Sequence, residues 1–259
     1  MSKAVQWRSE LAVAWRAAQR AGALQLARRS EVGAVQRKVD DTPVSEVDTA
    51  CEVLIREELL AAFPDDGLVG EELPPVAGSS GRIWVVDPLD GTRPFLRGIP
   101  THSALVSLEV DGTPVVGVIH LPALGETYWG SAGSGAFLNG QRLRVSTTRA
   151  LAEAMGSTFG AAFLGDEPLG TRLLALEARW SYSYGFMDAY SHGCVAAGRL
   201  DALVSPVDRR WDCSAACCIV REAGGRYSDL HGEPRTDSGG IVVSNGLLHE
   251  QILAVLNAS

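Results

Sequence analysis

Residues 83–92 read Ile83-Trp84-Val85-Val86-Asp87-Pro88-Leu89-Asp90-Gly91-Thr92. Four apolar residues in a row mark a strand buried on both faces. The two carboxylates that follow stand three residues apart at the strand's end and can turn toward one point. Pro88 restricts the backbone between them, and Gly91 permits a sharp bend. The Leu89 carbonyl can join the carboxylates, giving the oxygen set that hard divalent cations such as Mg²⁺ take. A helix or turn beginning at Gly91-Thr92 would aim its free N–H groups at the same point, which suits a phosphate. A solvated turn with helix-capping aspartates would use the same residues, so the stretch has to be weighed with its surroundings.

Working outward, Gly67-Leu68-Val69-Gly70-Glu71-Glu72 is a second strand-like end carrying carboxylates. Trp211-Asp212 opens a helical run over 213–223 that Gly224-Gly225 stops, and Asp212 can serve as its cap. Upstream, residues 5–29 are expected to be helical, with Trp7, Leu11, Trp15, Ala18 and Leu26 at helical spacing and Gly22 in the same stripe. Residues 33–43 read as a loop. Ser45 then caps a second helix with Asp48 in its first turn and Val47, Ala50, Leu54, Ile55, Leu59 and Phe63 on its buried face; Pro64 ends it. Residues 103–110 and 114–120 flank the hairpin signal Asp111-Gly112. Residues 126–129 and 141–145 are further strands, with an irregular connection over 130–135 and a turn at Asn139-Gly140. From about residue 150 helices (188–198, 212–223, 247–256) alternate with strands (201–204, 241–244). Hairpins followed by alternating units give an α+β class, expected as two halves of one body, 1–147 and 148–259, with a cleft between.

Composition narrows the function. The 259 residues are 46% hydrophobic and 21% charged, which supplies a core without staples and excludes disorder, collagen and coiled coil. Lys plus Arg is 23 and Asp plus Glu is 31, a net charge of −8. Such a chain lacks the positive field that non-specific nucleic-acid binding or docking on anionic membranes needs. No window approaches the ~18 apolar residues of a membrane helix. The first 22 residues lack the apolar core of a secretory leader. Five cysteines, an odd count without a C-x-x-C pair, favour a reducing compartment, and a cytoplasmic location is the expectation. Cys213, Cys217 and Cys218 share one helix with Asp212, but no His or Cys pair stands at zinc-finger spacing, so they read as small buried hydrophobes. His192, one turn after Asp188, reads as a packed or exposed helix histidine, and Arg209-Arg210 as solvated.

In order and spacing, Gly70-Glu71-Glu72, Asp87-Pro88-Leu89-Asp90-Gly91-Thr92, and Trp211-Asp212 with Glu222-Ala223-Gly224-Gly225 resemble the three signatures of the inositol monophosphatase family, Mg²⁺-dependent and lithium-sensitive phosphatases. The resemblance spans nearly the whole chain. It implies a layered α-β-α-β-α sandwich, usually a homodimer, that cleaves phosphate monoesters of small polar metabolites. It implies Glu71, Asp87, Asp90, the Leu89 carbonyl and Asp212 as ligands of two or three Mg²⁺. Glu71 and Thr92 would orient and activate the attacking water, and the Gly91 and Thr92 N–H groups would bind phosphate. Lys38 and Asp48 would hold outer metal-bound water.

After Thr92 the chain departs from the inositol-type pattern, which continues with a small or hydroxyl residue and then Asn. Arg93-Pro94-Phe95, Gly98-Ile99-Pro100, the run 41–48 and Asp188-Ala189-Tyr190 look closer to the histidinol-phosphate phosphatase branch. Pro94 is unusual in either. The resemblance therefore implies L-histidinol phosphate as substrate, with Asp188 able to pair with its amine and Arg93 as a second substrate-side residue. Inositol-type monophosphates are the alternative, and sugar phosphates and nucleotide 3′-phosphates stay open. A non-catalytic binding or regulatory member is the reading against which the complete carboxylate set speaks.

Overall fold

The run Ile83–Val86 lies inside a strand of 9 residues, in a computed structural model that describes residues 6–29, 36–37, 43–44, 46–159, 164, 167–185 and 188–258. Helix α1 (Arg8–Arg28) is followed by a short antiparallel pair, β1 (Gln36–Arg37) and β2 (Pro43–Val44), and by α2 (Glu46–Ala62). A seven-stranded sheet then forms from β3 (Gly67–Gly70), β4 (Arg82–Asp90), β5 (Ser103–Val110), β6 (Thr113–Leu121), β7 (Glu126–Ser131), β8 (Gly135–Leu138) and β9 (Gln141–Arg142), hydrogen-bonded in that order. Only β3 and β4 run parallel; the other neighbours are antiparallel. Helix α3 (Thr92–Arg97) connects β4 to β5.

A five-stranded sheet follows, built from β10 (Met155–Thr158), β11 (Tyr182–Ser183), β12 (Ala202–Ser205), β13 (Arg226–Ser228) and β14 (Ile241–Ser244) in the order β11-β10-β12-β14-β13. Its helices are α4 (Pro168–Glu177), α5 (Ala189–Ala196), α6 (Arg210–Glu222) and α7 (His249–Leu256).

Three apolar clusters show how the layers stack. Ala14, Ala18, Ile55 and Leu59 of α1 and α2 pack on Trp84, Val86 and Val106 of the large sheet. Leu105, Ile119 and Tyr128 on its other face meet Val195, Ala216 and Val220 of α5 and α6, which also cover Leu203 and Val243 of the small sheet. Leu173, Leu176, Ile252 and Leu256 of α4 and α7 close the outer face over Val204 and Val242. The order is α-β-α-β-α, the expected sandwich. Every residue of β4 from Trp84 to Asp90 is buried because helices cover both faces. Contact is close at Gly117 of β6, where a Cβ would stand 2.3 Å from the Ala215 carbonyl of α6.

Several expectations need correction. Trp15 and Leu26 of α1 are 42% and 44% exposed. Of the expected stripe, Ala18 and Gly22 meet the sheet and Trp7 and Leu11 pack at its margin; Ala14, Ala17 and Ala21 complete the face, because the helix lies too close for large side chains: a Cβ on Gly22 would sit 2.5 Å from the His120 ring. The stretch 130–135 is no irregular connection. β7 runs to Ser131, and the reversal into β8 is held by the Glu222 carboxylate, which accepts from Gly133 N (3.1 Å) and Gly135 N (2.9 Å). Of 141–145 only Gln141 and Arg142 pair as strand. The strands β1, β2, β8, β10, β11 and β13 and the helix α4 went unread, the strands because two to four residues carry too little periodicity. β1 and the start of β2 lie within the expected loop 33–43. Ser45 and Lys38 lie outside the described residues. Among those described, no helix is long and apolar enough to cross a membrane.

Candidate active site

The end of β4 bulges. Asp87 pairs with Leu105 but Asp90 with Ser103, so three steps on β4 oppose two on β5. Pro88, which cannot donate to the ladder, occupies the slack. A helix side chain secures it: Gln25 of α1, fully buried, donates from Nε2 to the carbonyls of Pro88 (2.8 Å) and Ser103 (3.1 Å). Its Oε1 meets His102 Nδ1 at 2.9 Å. Gln25 was missed from sequence; a lone amide on the alanine face of α1 is its only signal.

Both aspartates of the bulge are buried. Asp87 Oδ1 accepts from Leu89 N at 3.0 Å. Asp90 Oδ2 accepts from Ser103 Oγ and from Ala189 N, the first residue of α5, both at 2.8 Å. The chain then turns at Gly91, whose φ of 77° is left-handed and whose Cβ position would lie 3.3 Å from the Asp188 carboxyl carbon. A side chain there would be strained and crowded, so glycine is required. In α3 the Thr92 hydroxyl lies 3.0 Å from Asp48 Oδ1 and 3.2 Å from the Leu89 carbonyl, and Asp48 is fully buried on α2.

Asp212 is not the N-cap of α6. Arg209 takes that place, and Asp212 stands in the first turn with Oδ2 accepting from Arg209 N at 2.6 Å. The carboxylate caps the helix and also faces the other acids. Burial, followed by the charges of Glu71, Asp90 and Asp212, holds the Asp87 carboxyl well above the usual range. Burial, then Asp208, and further Asp90 and Glu71, do the same for Asp212, against the Arg209 amide. Asp90 is pushed up to about 6 by burial, against the bonds from Ala189 and Ser103. Asp188 is pushed up to about 8 by burial, Asp90 and Asp208, against a hydrogen bond with Thr101. Glu71, Asp87, Asp90 and Asp212 thus lie near enough for their charges to act on one another. Protein alone makes a poor solvent for so many negative charges at one place.

Among the described residues no group of three or more His, Cys, Asp or Glu side chains is arranged around one point as a metal cage. Asp87, Asp90 and Asp212 each accept from nearby donors instead. The donor set nevertheless fits a hard divalent cation: carboxylate oxygens, those of Asp87 and Asp90 buried and those of Glu71 and Asp212 half-buried, with a backbone carbonyl between two of them.

Beside the acids lies a cleft of about 150 Å³ that Asp188, His192, Asp208, Phe159 and Leu203 help to line. His192 Nε2 and Asp208 Oδ2 are 3.0 Å apart, and Ser205 Oγ donates to Asp208 Oδ1. His192 is buried in this wall, neither exposed nor packed away from the cleft. Asp208 was not singled out from sequence; a carboxylate just past the end of β12, beside the two arginines, was the available signal. Asp188 holds φ 72° and ψ 176°, a conformation that costs a non-glycine residue about 1–3 kcal/mol.

Arg93 is exposed on the first turn of α3. Arg210 is not solvated. It pairs with Glu109, a buried acid that also accepts from Ser214 Oγ (2.7 Å) and Thr236 Oγ1 (3.1 Å). Cys213, Cys217 and Cys218 are buried in the core as thiols; burial pushes Cys218 up to about 12.

The pattern of the inositol monophosphatase family matches residues 6–259. The histidinol-phosphatase of Chlorobaculum parvum is 40% identical over 95% of this chain and 96% of its own length. The inositol-1-monophosphatase of Rhizobium meliloti is 39% identical over 78% of each chain. Among solved structures, the extragenic suppressor protein suhB of Bartonella henselae superimposes with a TM-score of 0.86 at 31% identity, covering 97% of this chain and 99% of that one.

Proposed function

The chain belongs to the inositol monophosphatase family, and we propose that it hydrolyses L-histidinol phosphate to L-histidinol and phosphate, in histidine biosynthesis. The observation that carries the proposal is the crowd of acids at the ends of β3 and β4 and the start of α6, beside a cleft that adds Asp188 and Asp208. The first group suits Mg²⁺, on which the family's mechanism depends. The second suits a leaving group bearing a cation.

Glu71, Asp87, Asp90, Asp212 and the Leu89 carbonyl would hold two or three Mg²⁺. When bound, Mg²⁺ eases deprotonation of water and offsets charge on the phosphoryl and leaving oxygens. The chain's own groups do the rest. The Thr92 hydroxyl has Asp48 and the Leu89 carbonyl within reach as acceptors, so it turns lone pairs toward a water. Glu71 takes the proton of that water. The N–H groups of Gly91 and Thr92, at the start of α3, receive the phosphate. Asp188 pairs with the amine of the substrate, and Arg93 lies at the rim. Phosphoryl transfer needs little covalent help, so positioning and charge carry the reaction. A homodimer in the cytoplasm completes the proposal.

Phosphate release with Mg²⁺ from histidinol phosphate and from inositol 1-phosphate, compared by kcat/KM, tests it. A hundredfold preference for histidinol phosphate, ~2.7 kcal/mol of differential transition-state binding, is expected. Glu71→Gln and Asp90→Asn should each abolish turnover with the fold intact. The inositol ester is the second reading, favoured by the Rhizobium relative, whose identity is one percentage point lower than that of the Chlorobaculum enzyme. Preference for that ester would keep the acids in their roles and overturn the substrate. Release from neither would overturn the phosphatase reading.

A further inference from the structure

Helix α2 carries Asp48, Glu52 and Arg56 at four-residue spacing, and all three are buried. Burying such groups is unfavourable unless each is paired. The pairing shows what the stripe is for. Asp48 meets the Thr92 hydroxyl. Glu52, fully buried, accepts from Glu72 N through Oε2 (2.7 Å) and from Leu73 N through Oε1 (3.2 Å). Arg56 Nε donates to Glu52 Oε1 at 2.8 Å, while Nη1 and Nη2 donate to the carbonyls of Pro74 and Leu73, both at 2.8 Å. One acid and one guanidinium thus grip the backbone on both its donor and its acceptor sides, directly after Glu71.

The glycine of Gly70-Glu71-Glu72 has the same cause. Gly70 is not among the glycines with positive φ, so no backbone bend demands it. A Cβ at position 70 would instead stand 2.1 Å from Glu52 Oε1 and 2.5 Å from its carboxyl carbon. The motif needs a glycine because the Glu52 carboxylate comes up against the strand end at this point.

We propose that Glu52 and Arg56 are positioning residues of the active site. They fix residues 72–74 and so hold Glu71 in register with Thr92, which the same helix anchors through Asp48. The role rests on the reading that Glu71 and Thr92 act on the attacking water. A buried ion pair is weak evidence for stability, since apolar replacements of similar volume are often neutral. Its placement on the Glu71 segment is what a positioning role explains.

Three variants of the full chain test this. Glu52→Leu with Arg56→Met removes both charges together and leaves no uncompensated buried ion. Gly70→Ala displaces Glu52 from the opposite side with every charge retained. Arg56→Lys keeps the charge but loses the planar fork that reaches two carbonyls and the acid. The readouts are amide hydrogen exchange at Glu72 and Leu73, Mn²⁺ binding by electron paramagnetic resonance, and kcat and KM for phosphate release.

Faster exchange at both amides, weaker Mn²⁺ binding by about 10-fold, and kcat reduced on the order of 100-fold with KM within about threefold are expected, since a misplacement of about 1 Å costs that much. Arg56→Lys should fall between. Faster exchange with kcat and Mn²⁺ binding within twofold of wild type overturns the positioning role. If the double variant does not fold, Gly70→Ala decides by the same readings. Glu71→Gln is measured beside them. Loss of turnover there with retention in the α2 variants overturns the positioning role alone. Retention in Glu71→Gln overturns the site assignment and the positioning role together.

Discussion

Without a divalent cation the protein should lose stability as pH rises from 6.5 to 8.0. A carboxyl whose folded pKa is raised binds a proton that the unfolded chain has released, and that advantage disappears as pH climbs through the folded value. Asp188, with its midpoint near 8 against 3.8 unfolded, loses about 1.5 kcal/mol across this window at 1.36 kcal/mol per pH unit. Asp87 and Asp212, also raised, push the same way. Asp90, near 6, has lost most of its share before the window opens. His102, His120 and His249, lowered to about 4 by burial against 6.5 unfolded, oppose this by about 0.4 kcal/mol each over the window, most of it below pH 7. The buried thiols of Cys51 and Cys218, raised to about 12, add their own loss only at higher pH. At about 2–4 °C per kcal/mol, Asp188 alone lowers Tm by roughly 3–6 °C. Thermal unfolding followed by circular dichroism in EDTA at pH 6.5, 7.25 and 8.0 measures it. Asp188→Asn should remove that part of the slope, and saturating Mg²⁺ should shrink the whole. An Asp188→Asn variant that keeps the full slope of the unaltered protein in EDTA refutes the reasoning.

Asp208→Asn should lower kcat/KM for histidinol phosphate by about 10–100-fold while changing inositol 1-phosphate hydrolysis less than threefold, because only the first substrate brings a cation to pair with it; steady-state phosphate release with both esters checks it. Gly117→Ala places a methyl 2.3 Å from the Ala215 carbonyl and should destabilise by about 1–3 kcal/mol through the separation of α6 from the large sheet, read as a lower urea midpoint. Gln25→Leu strips the Pro88 and Ser103 carbonyls of a buried donor and should cost about 1–3 kcal/mol. It should also lower kcat in phosphate release, since the bulge carries Asp87 and Asp90.

The parts of the fold that could be read ahead were those whose signal is local. Strand β4 announces itself by an unbroken apolar run, the β5–β6 hairpin by Asp111-Gly112, and α6 by its closing Gly224-Gly225. What failed was decided elsewhere in the chain. The stripe on α1 included Trp15 and Leu26, yet the surface the helix meets includes the His120 ring and admits only small residues, so both turned outward. The reversal over 130–135 looked irregular because the acid that satisfies its amides, Glu222, lies 87 residues beyond Gly135. The same division holds in the site. Asp87, Asp90 and Glu71 stand at strand ends that the sequence marks. Gln25, Glu52 and Arg56 act through contacts with backbone 17–78 residues away, and beyond a lone amide on the alanine face of α1 a single sequence gives no sign of them.

Asp90 ties the two sides of the site together. One of its carboxylate oxygens receives Ser103 from the strand beside the bulge and Ala189 from the first turn of α5, the helix that also brings His192 to the cleft. Asp188, immediately before that helix, is itself raised by burial and by the charges of Asp90 and Asp208. The wall that would read the leaving group and the acids that would hold the metal therefore share an atom, and neither can be altered alone. A substitution that shifts the start of α5 to suit another substrate withdraws a 2.8 Å bond from Asp90 and raises its pKa further, since that bond is the largest influence holding it down. Changes of specificity at Asp188 should accordingly appear also as changes in the Mg²⁺ concentration needed for half-maximal rate. Changes at Asp208 should do so as well, since its charge raises Asp212, Asp90 and Asp188.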